Sequence, residues 1–473
     1  MKSFNNPIIP LDPIFYNLNS KKIVQWNKVN YDNLDFKAIA AFCALGYMLD
    51  DDTYSENIKV CKPSREYTIN TQNQISSERE VWKWHYSPQD KSFKVILDEF
   101  IELFEGFVNK NTLNKSILLP ISGGLDSRTL MAAVKDRQDV VLGSYEFEKG
   151  IKEIKYGRMV SKEFNLPFFS KKIPVGYLWN NLEKIGSVNN CFSDFLHPRQ
   201  FVMSNDWKGL GDSLLLGHWG DVLFDSHSKL EKLSYDKQIC LLKTKILKPS
   251  GIELAETLWN SWGLEGSFQA YINDRLDFLY KNINIDHPSA RIRAFKSQYW
   301  APRWTSSNLS YFKSMGEIIL PYYSDNMCKY ICNVPEYYLS NRKIQIEYIK
   351  KRSSQLAKIS WQKFYPLNLY NYERFNKIYY YPIRASKKMI RMLEKHLYKT
   401  PNTISRNWEN QFLGKKNDLK LNTFLLRENK FNKIVSPQIS KDYIIKFNKN
   451  PLKYSHSISM LITLAVFFNS FSD

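Results

Sequence analysis

A buried strand, a glycine turn and the start of a helix follow one another in Ile117-Leu118-Leu119-Pro120-Ile121-Ser122-Gly123-Gly124-Leu125-Asp126-Ser127-Arg128. The run Ile117–Ile121 is apolar throughout, as in a strand that a parallel sheet buries on both faces. We expect a helix over Arg128–Lys135, directly after the turn. Small residues in the turn let backbone N–H groups point inward, so that these groups, the hydroxyls and the helix N-terminus can together bind an anion.

The sequence after this segment repeats the order strand, loop and helix. Apolar strands that alternate with helices predict an α/β fold, in which a parallel sheet carries helices on both faces. Ligands of such sheets bind at the carboxyl ends of the strands, where both glycine-containing loops of this sequence lie. The expected elements are strands at Val140–Ser144 and Ser213–Leu216, a third strand that follows Leu166–Phe169, and a helix over Lys152–Phe164.

The regions on either side of this unit have different patterns. Residues 1–88 are predicted to form a small, mostly β region of short strands and turns, with strands at Tyr67–Ile69 and Val81–Tyr86. A helix capped by Asp90 is expected to run to about Val108. We expect the ligand-binding unit to cover residues 89–365 and a helical extension to cover 366–473, ending in an apolar helix over Ser455–Phe468.

The composition is that of a soluble globular protein, with 43% hydrophobic and 24% charged residues. A net charge of +20 favours anionic partners, but the charge is spread along the chain without an arginine-rich arm, so nucleic acid is not the expected partner. No apolar run reaches the roughly 18 residues that span a membrane, and we expect a cytoplasmic protein. The six cysteines are scattered, and Cys328 and Cys332 are expected to be buried residues on one face of a helix.

Asp126 lies inside the first loop, where a carboxylate would repel a phosphate. Its expected role is therefore to hold a Mg²⁺ ion that bridges to phosphate groups. The loop lacks the Gly-Lys-Ser/Thr ending of a Walker motif. It instead resembles the Ser-Gly-Gly-x-Asp-Ser signature of the pyrophosphatase-loop (adenine nucleotide alpha hydrolase) superfamily, which implies cleavage of ATP to AMP and pyrophosphate.

A second loop, about 95 residues after Asp126, reads Leu214-Leu215-Leu216-Gly217-His218-Trp219-Gly220-Asp221-Val222-Leu223-Phe224. It resembles the Ser-Gly-Glu-Gly-x-Asp-Glu-Leu-Phe motif of the asparagine-synthase family, which implies that Asp221 is a second carboxylate ligand of the Mg²⁺ ion. His218 stands where the family has a glutamate that faces the acyl intermediate and the incoming amine, and Val222 replaces the next glutamate. A histidine can still accept a proton from an amine near neutral pH. The replacement of both glutamates predicts a substrate other than that of a true asparagine synthetase.

The same resemblance implies further site residues. Met315–Asp325 resembles the family's Gly-x-Glu-x-Arg-x-Pro-Phe-Leu-Asp segment, with Ile319 in place of the arginine. Tyr348–Trp361 resembles the helix before the family's catalytic lysine, which would be Lys363. That lysine would stabilise the negative charge that develops on the adenylate. Contacts to ATP are expected from Ile121, Ser122, Gly123, Gly124, Asp126, Ser127, Ser144 and Gly217.

The N-terminal part departs from the family. Glutamine-hydrolysing members begin with a cysteine nucleophile on a domain longer than the segment before the first loop, whereas this sequence begins Met1-Lys2-Ser3. Residues 1–88 therefore resemble only a remnant of that glutaminase-like domain. Cys43 is not expected to be a nucleophile, because it lies inside an apolar run. We expect nitrogen to come from ammonia, an amine or a separate glutaminase subunit.

These features together predict an ATP-dependent ligase that joins a small-molecule carboxylate to ammonia or an amine and uses Mg²⁺. Relatives that act on carboxylated sugars in surface-polysaccharide pathways fit the shortened N-terminal part, and a peptide- or lactam-cyclising synthetase is the near alternative. A tRNA-modifying enzyme would use the same first loop but is not expected to carry the second. A protein that only binds nucleotide is the non-enzymatic alternative, and Asp126 and Asp221 argue against it.

Overall fold

The computed structural model describes residues 2–26, 33–148, 150, 152–195, 198–226, 233–382, 384–386, 389, 392 and 411–470. Its strands are β1 Lys2–Asn6, β2 Phe15–Asn17, β3 Ile23–Val24, β4 Ile58–Val60, β5 Arg65–Ile69, β6 Ile75–Glu80, β7 Ile117–Pro120, β8 Val140–Phe147, β9 Phe168–Ile173, β10 Ser213–Leu215 and β11 Glu317–Ile319.

The α-helices are α1 Phe36–Leu45, α2 Phe93–Asn111, α3 Leu125–Ala133, α4 Ile154–Phe164, α5 Leu182–Asn189, α6 Ser204–Trp207, α7 Gly220–Leu223, α8 Tyr235–Ile246, α9 Pro249–Ser261, α10 Phe268–Lys281, α11 Pro288–Phe295, α12 Ser306–Leu309, α13 Asp325–Ile331, α14 Glu336–Leu339, α15 Lys343–Arg352, α16 Ser354–Lys358, α17 Lys415–Leu426, α18 Pro437–Lys449 and α19 Pro451–Ser470. A π-helix covers Lys296–Thr305. Short 3₁₀ helices cover Tyr177–Asn180, Pro198–Met203, Ser310–Phe312, Pro321–Tyr323, Gln362–Phe364, Tyr372–Asn376, Ile378–Tyr380 and Lys430–Lys433.

A five-stranded parallel sheet forms the centre of the molecule, in the order β11-β10-β7-β8-β9. Its middle strand is β7, in which Ile117, Leu118 and Leu119 are fully buried, because helices flank the sheet. The helix α3 packs against α15, and α4 packs on β8 and β9. The predicted α/β fold with a parallel sheet is therefore confirmed, and its strand order places the two glycine-containing loops side by side.

The N-terminal region differs from its prediction. Two small antiparallel sheets, β1-β5-β6 and β3-β2-β4, are present as expected. The same region also contains an apolar α-helix, α1, which was not predicted. The Asp35 side chain accepts a hydrogen bond from the N–H of Ala38 at its start, and Gly46 ends it in the left-handed conformation, with φ 83°. Since α1 is buried on nearly all sides, it has no polar face whose period would reveal a helix.

Several element boundaries also differ from those predicted. The Val81–Tyr86 segment belongs to no strand. The next helix is capped by Ser92, whose side chain accepts from Val95 N–H, rather than by Asp90. The helix after the first loop begins at Leu125 instead of Arg128. The short strand β11 was not predicted. Three residues are too few to show a period, and β11 is defined by its pairing with β10.

The C-terminal helix α19 confirms the apolar helix predicted over Ser455–Phe468. It packs against α9 and α18 and reaches the N-terminal region, where the Phe467 ring stacks on Tyr54 at 3.5 Å between centroids. His456 Nε2 lies 2.9 Å from the Cys43 carbonyl oxygen. The first and last parts of the chain therefore share one apolar core.

The cysteine prediction is confirmed for the pair near α13. Cys328 and Cys332 are buried, and the Cys332 thiol donates to the Cys328 carbonyl oxygen at 3.3 Å. Cys43 is buried in α1, which raises the pKa of its thiol, as expected for a residue that is not a nucleophile.

Candidate functional site

The two predicted loops meet at the carboxyl edge of the sheet. Because β7 and β10 are parallel neighbours, the loop after β7 (Ile121–Gly124) and the loop after β10 (Leu216–Trp219) leave the sheet side by side. A Cβ atom on Gly217 would lie 3.0 Å from the Asp126 Cβ, and one on Gly220 would overlap Asp126 Oδ1. The glycines thus let the second loop lie directly on the Asp126 side chain.

The backbone N–H groups of the first loop donate hydrogen bonds to other groups of the protein. Ser122 N–H donates to Ser127 Oγ at 3.1 Å, and Gly124 N–H donates to Ser122 Oγ at 3.2 Å. Gly123 N–H donates to the carboxylate of Glu153 at 3.2 Å, so an anionic group already lies against the loop. Gly124 is the N-cap residue of α3 and offers no side-chain cap, which leaves the positive end of the helix dipole facing the loop.

A segment from the 3₁₀ helix at Gln362–Phe364 covers the first loop. The Gln362 N–H donates to the Gly123 carbonyl oxygen at 3.3 Å, and its side-chain amide donates to Glu153 Oε1 at 2.8 Å. The buried guanidinium of Arg128 donates to the carbonyl oxygens of Ile359 and Ser360, at 2.9 and 2.5 Å. Arg128, the first residue after the Ser-Gly-Gly-x-Asp-Ser signature, therefore anchors the covering segment.

Lys363 is carried by this covering segment. Its side chain is exposed and lies over the rings of Trp361 and Phe364, with the ammonium 5.9 and 5.3 Å from their centroids. The expected helix before it is two helices, α15 and α16, separated at Ser353. The fold thus brings Lys363 next to a residue that touches the loop, and its catalytic role stays a prediction.

Asp126 is the centre of a hydrogen-bonded cluster that the sequence did not predict. Its Oδ1 accepts from the guanidinium of Arg342 and, at 3.0 Å, from the amide of Gln345. The same amide donates to the Tyr322 hydroxyl at 2.8 Å, and Arg342 Nε donates to Gln345 Oε1 at 2.7 Å. Among the described residues, no hydrogen-bond donor reaches Asp126 Oδ2.

Burial and the neighbouring charges shift the pKa of Asp126 in opposite directions. Burial raises the pKa of its carboxyl group, Arg342 lowers it, and the neighbouring carboxylate of Asp221 raises it again. Asp221 lies in the first turn of α7 and is exposed. Two carboxylates that repel each other beside a glycine loop are a donor set that suits a hard divalent cation.

The second loop contains a strained backbone position between the predicted site residues His218 and Asp221. Trp219, between His218 and Gly220, has φ 78°, a left-handed conformation that is rare for a large side chain. Its indole N–H donates to Ser297 Oγ at 2.9 Å, which ties the loop to the π-helix. His218 is half-buried, with its ring 6.1 Å from that of Phe312.

The remaining predicted ATP contacts lie on the neighbouring strands. Ile121 is buried, and its N–H donates to the Gly143 carbonyl oxygen of β8 at 2.8 Å. Ser144 is buried in β8 opposite Ser170 of β9. Ile121 and Ser144 therefore flank the carboxyl end of β7, and their contacts to ATP stay predictions.

The sequence analysis did not predict four residues that contact the first loop or Asp126. They are Glu153, Arg342, Gln345 and Gln362. Arg342 follows Asn341, and both have a positive φ, of 64° and 56°. This turn sets the Arg342 guanidinium at the N-terminal end of α15. No spacing in the sequence marks these four, because each meets the loops through the packing of a distant element.

The described residues contain no group of three or more His, Cys, Asp or Glu side chains that could hold a metal ion by themselves. Any Mg²⁺ ion at Asp126 and Asp221 would therefore depend on ligands from a substrate such as ATP. Within the same residues, no helix is both long and apolar enough to cross a membrane.

Comparison with known proteins gives no match, either to a family model or to a curated protein. The likeness to the asparagine-synthase family therefore rests on the two loops and the segments around them.

Proposed function

We propose that this protein is an ATP-dependent, AMP-forming ligase of the asparagine-synthase type, with a pyrophosphatase-loop α/β domain. The observation that supports the proposal most directly is the contact between the two loops, in which Gly217 and Gly220 lie on Asp126 and bring Asp221 beside it. A glycine loop at the carboxyl end of the central strand, followed by a helix N-terminus, suits the pyrophosphate part of ATP.

Asp126 and Asp221 are the residues that would hold Mg²⁺, which when bound would neutralise charge on the phosphates. The residues present fit this ion, because the two carboxylates repel each other and Asp126 keeps one oxygen without a hydrogen bond among the described residues. Arg342 holds the other oxygen and fixes the direction of the carboxylate.

In the proposed first step, a carboxylate oxygen of the substrate attacks the α-phosphorus of ATP. The bond from that phosphorus to the bridging oxygen breaks, and pyrophosphate leaves. Arg342 and Lys363 supply positive charge near the loops, where negative charge develops. Glu153 must give up the Gly123 N–H if a phosphate oxygen is to bind there, since a carboxylate and a phosphate repel each other.

In the proposed second step, ammonia or an amine attacks the acyl carbon of the adenylate. The carbon–oxygen bond breaks, and AMP leaves with the oxygen that came from the carboxylate. His218 is placed on the second loop, where it accepts the proton that the attacking nitrogen loses. A histidine in place of a carboxylate favours a substrate other than aspartate.

The products of ATP cleavage test the proposal. The purified protein is incubated with MgATP and fractions of a metabolite extract, and AMP, pyrophosphate, ADP and phosphate are quantified. We expect AMP and pyrophosphate in equal amounts, only in fractions that contain the carboxylate. Formation of ADP and phosphate in those fractions would contradict the proposal.

A further inference from the structure

A lysine that the proposed reaction does not yet use lies beside the second loop. Lys296 is the first residue of the π-helix, a type of helix that often occurs at functional sites. Its ammonium lies 5.9 Å from the ring of Trp219 and 5.1 Å from that of Trp300. The hydrogen bond from Trp219 to Ser297 fixes this end of the π-helix against the loop.

The Lys296 ammonium forms no ion pair with any carboxylate in the part of the chain that the structure describes. No carboxylate of the described residues lies within 4.0 Å of it, nor of Lys245 at the end of α8. Burial lowers the pKa of both lysines, and the nearest acidic groups, Asp221 and Asp225, oppose that shift from a longer distance. An ammonium that is partly removed from water and faces two indole rings without a carboxylate costs stability unless an anion binds it.

Another positive charge next to Lys296 is already paired. The Arg293 guanidinium donates to both carboxylate oxygens of Glu336, at 2.6 and 2.8 Å, within the buried core. Glu336 is therefore not an ionic partner for Lys296, because both of its carboxylate oxygens accept hydrogen bonds from Arg293.

Two buried donors, one on the Trp300 ring beside Lys296 and one on the ring stacked against it, lack acceptors among the described residues. They are the indole N–H of Trp300 and the hydroxyl of Tyr47, whose rings stack at 6.1 Å between centroids and 8° between planes. Buried donors are normally hydrogen-bonded in native proteins. Within the described residues, two donors without acceptors therefore lie next to a cation without a carboxylate, and an anionic ligand with several oxygens could bind all three.

We propose that Lys296, with Lys245, Trp300 and Tyr47 around it, binds an oxyanion of a substrate at the second loop. The oxyanion is either a phosphate or a carboxylate group, since both offer charged oxygen acceptors. This inference rests on the proposed function, because it adds an anion-binding residue to the same site.

The test compares Lys296→Met and Lys296→Arg with the wild-type chain. Calorimetric titrations use inorganic pyrophosphate with Mg²⁺ as the phosphate probe and succinate as the carboxylate probe, and MgATP binding is measured in parallel. We expect Lys296→Met to weaken binding of at least one probe by about tenfold or more, the usual effect of one charged hydrogen bond. Lys296→Arg should restore most of it, and the probe that responds identifies the oxyanion.

The Tm separates ligand binding from a structural role. Lys296→Met removes a half-buried charge that has no carboxylate partner among the described residues, so the Tm of the variant should equal or exceed that of the wild type. If Lys296 only stabilised the indoles, the variant would instead have a lower Tm. The matched control is Lys343→Met, because the Lys343 ammonium also lies over two rings, Phe93 and Tyr338, at 4.4 and 5.6 Å. That variant should bind both probes as the wild type does.

Unchanged binding of both probes by Lys296→Met would overturn the inference while leaving the proposed function intact. Weaker binding together with a lower Tm and no rescue in Lys296→Arg would also overturn it. A wild-type chain that binds neither probe overturns the inference, and failure to bind MgATP contradicts the proposed function itself.

Discussion

Contacts from several elements fix the position of the Asp126 side chain. Glycines on the second loop leave room for its carboxylate, Arg342 and Gln345 fix one oxygen, and burial raises its pKa. A residue held in this way is preorganised, so its replacement should change function more than fold.

Asp126→Asn and Asp221→Asn should each abolish Mg²⁺-dependent release of pyrophosphate, because each removes a charged oxygen from the proposed metal site. The double variant should be no worse than the more damaged single variant, since both residues act on one ion. Pyrophosphate release and the Tm are measured for all three. Asp98→Asn, an exposed carboxylate paired with Lys351, is the control. Near-normal turnover in Asp221→Asn would show that the second loop does not hold the metal.

Lys363→Met and His218→Ala should affect different steps. Loss of a positive charge near the adenylate should lower amide formation by about 10²- to 10³-fold, with ATP affinity little changed. His218→Ala should leave ATP–pyrophosphate exchange intact, because exchange reports adenylation, but should slow capture of the acyl group by the amine. Both assays are run on both variants. If exchange and product formation fall together in His218→Ala, the histidine supports the loop instead of the transfer step.

At this scale the sequence predicted the residues of the two loops and missed their partners. Asp126 and Asp221 were predicted as site residues because each lies in a glycine-containing motif directly after an apolar strand, and the structure places them as neighbours. Arg342 is 216 residues from Asp126 in the chain, and only the packing of α15 against α3 brings them together. Glu153 and Gln362 were missed for the same reason, since neither belongs to a recognisable motif.

Among the elements, the second loop and α7 are packed so tightly that a side chain has no room at Gly220. A methyl group on Gly220 would overlap Asp126 Oδ1 and lie 2.7 Å from the Tyr322 ring. Neither neighbour can move freely, because the Gln345 amide donates to both of them. The helix α7 therefore depends on a glycine at its first position.

Gly220→Ala should lower stability by about 1–3 kcal/mol, the usual cost of overpacking, and should abolish pyrophosphate release because Asp126 is displaced. Denaturant unfolding and product analysis measure the two effects. The control is Gly106→Ala in α2, where no atom outside the adjacent residues and the helix's own backbone lies within 4 Å of the added methyl group. That variant should gain about 0.5–1 kcal/mol from helix propensity. Full activity in Gly220→Ala would contradict the close packing of the two loops.

The elements predicted best are those whose pattern is local. The strand β7 is apolar along its whole length, and α4 follows a helical period, so both were expected close to their observed positions. The Val81–Tyr86 segment alternates in polarity but has no neighbouring strand to pair with. Backbone N–H groups in and after this segment donate elsewhere: Val81 N–H to the Ser64 carbonyl oxygen and Ser87 N–H to the Cys332 carbonyl oxygen. Pairing is a property of the fold, and sequence alternation alone does not specify it.

Across the whole molecule, ionic groups of the N-terminal region meet helices from the middle of the chain. Asp50, Asp51 and Asp52 form an acidic turn in contact with Lys62 and Arg275. The buried guanidinium of Arg303, from the π-helix, donates to the carbonyl oxygens of Met48 and Asp52. The acidic turn therefore connects the N-terminal region to α10 and to the π-helix, which in turn contacts the second loop.

The acidic turn should make stability depend on pH. Burial raises the pKa of Asp50 to about 6, helped by Asp51 and opposed by Lys62. Because the folded-state pKa is above the unfolded value of about 3.9, the protonated group stabilises the fold below pH 4, and this contribution is lost as the pH rises through 6. Asp50→Asn should therefore be more stable than the wild type at pH 7.5, by up to about 3 kcal/mol.

Asparagine suits this position, since Asp50 has φ 54° and asparagine tolerates the left-handed region. The unfolding free energies of wild type and Asp50→Asn are compared from pH 4 to pH 8, with the exposed Asp136→Asn as the control. The gap between wild type and Asp50→Asn should widen between pH 4 and pH 7. A gap that does not change with pH would show that Asp50 is not held with a raised pKa.

The transfer of oxygen from the carboxylate to AMP tests the central claim most directly. The carboxylate identified by product analysis is labelled with ¹⁸O in both oxygens and incubated with the protein, MgATP and the amine. If the carboxylate attacks the α-phosphorus, each AMP formed with the amide carries one ¹⁸O atom from the substrate. Label in inorganic phosphate, with ADP as the nucleotide product, would contradict adenylation, and unlabelled AMP would show that water attacks ATP instead.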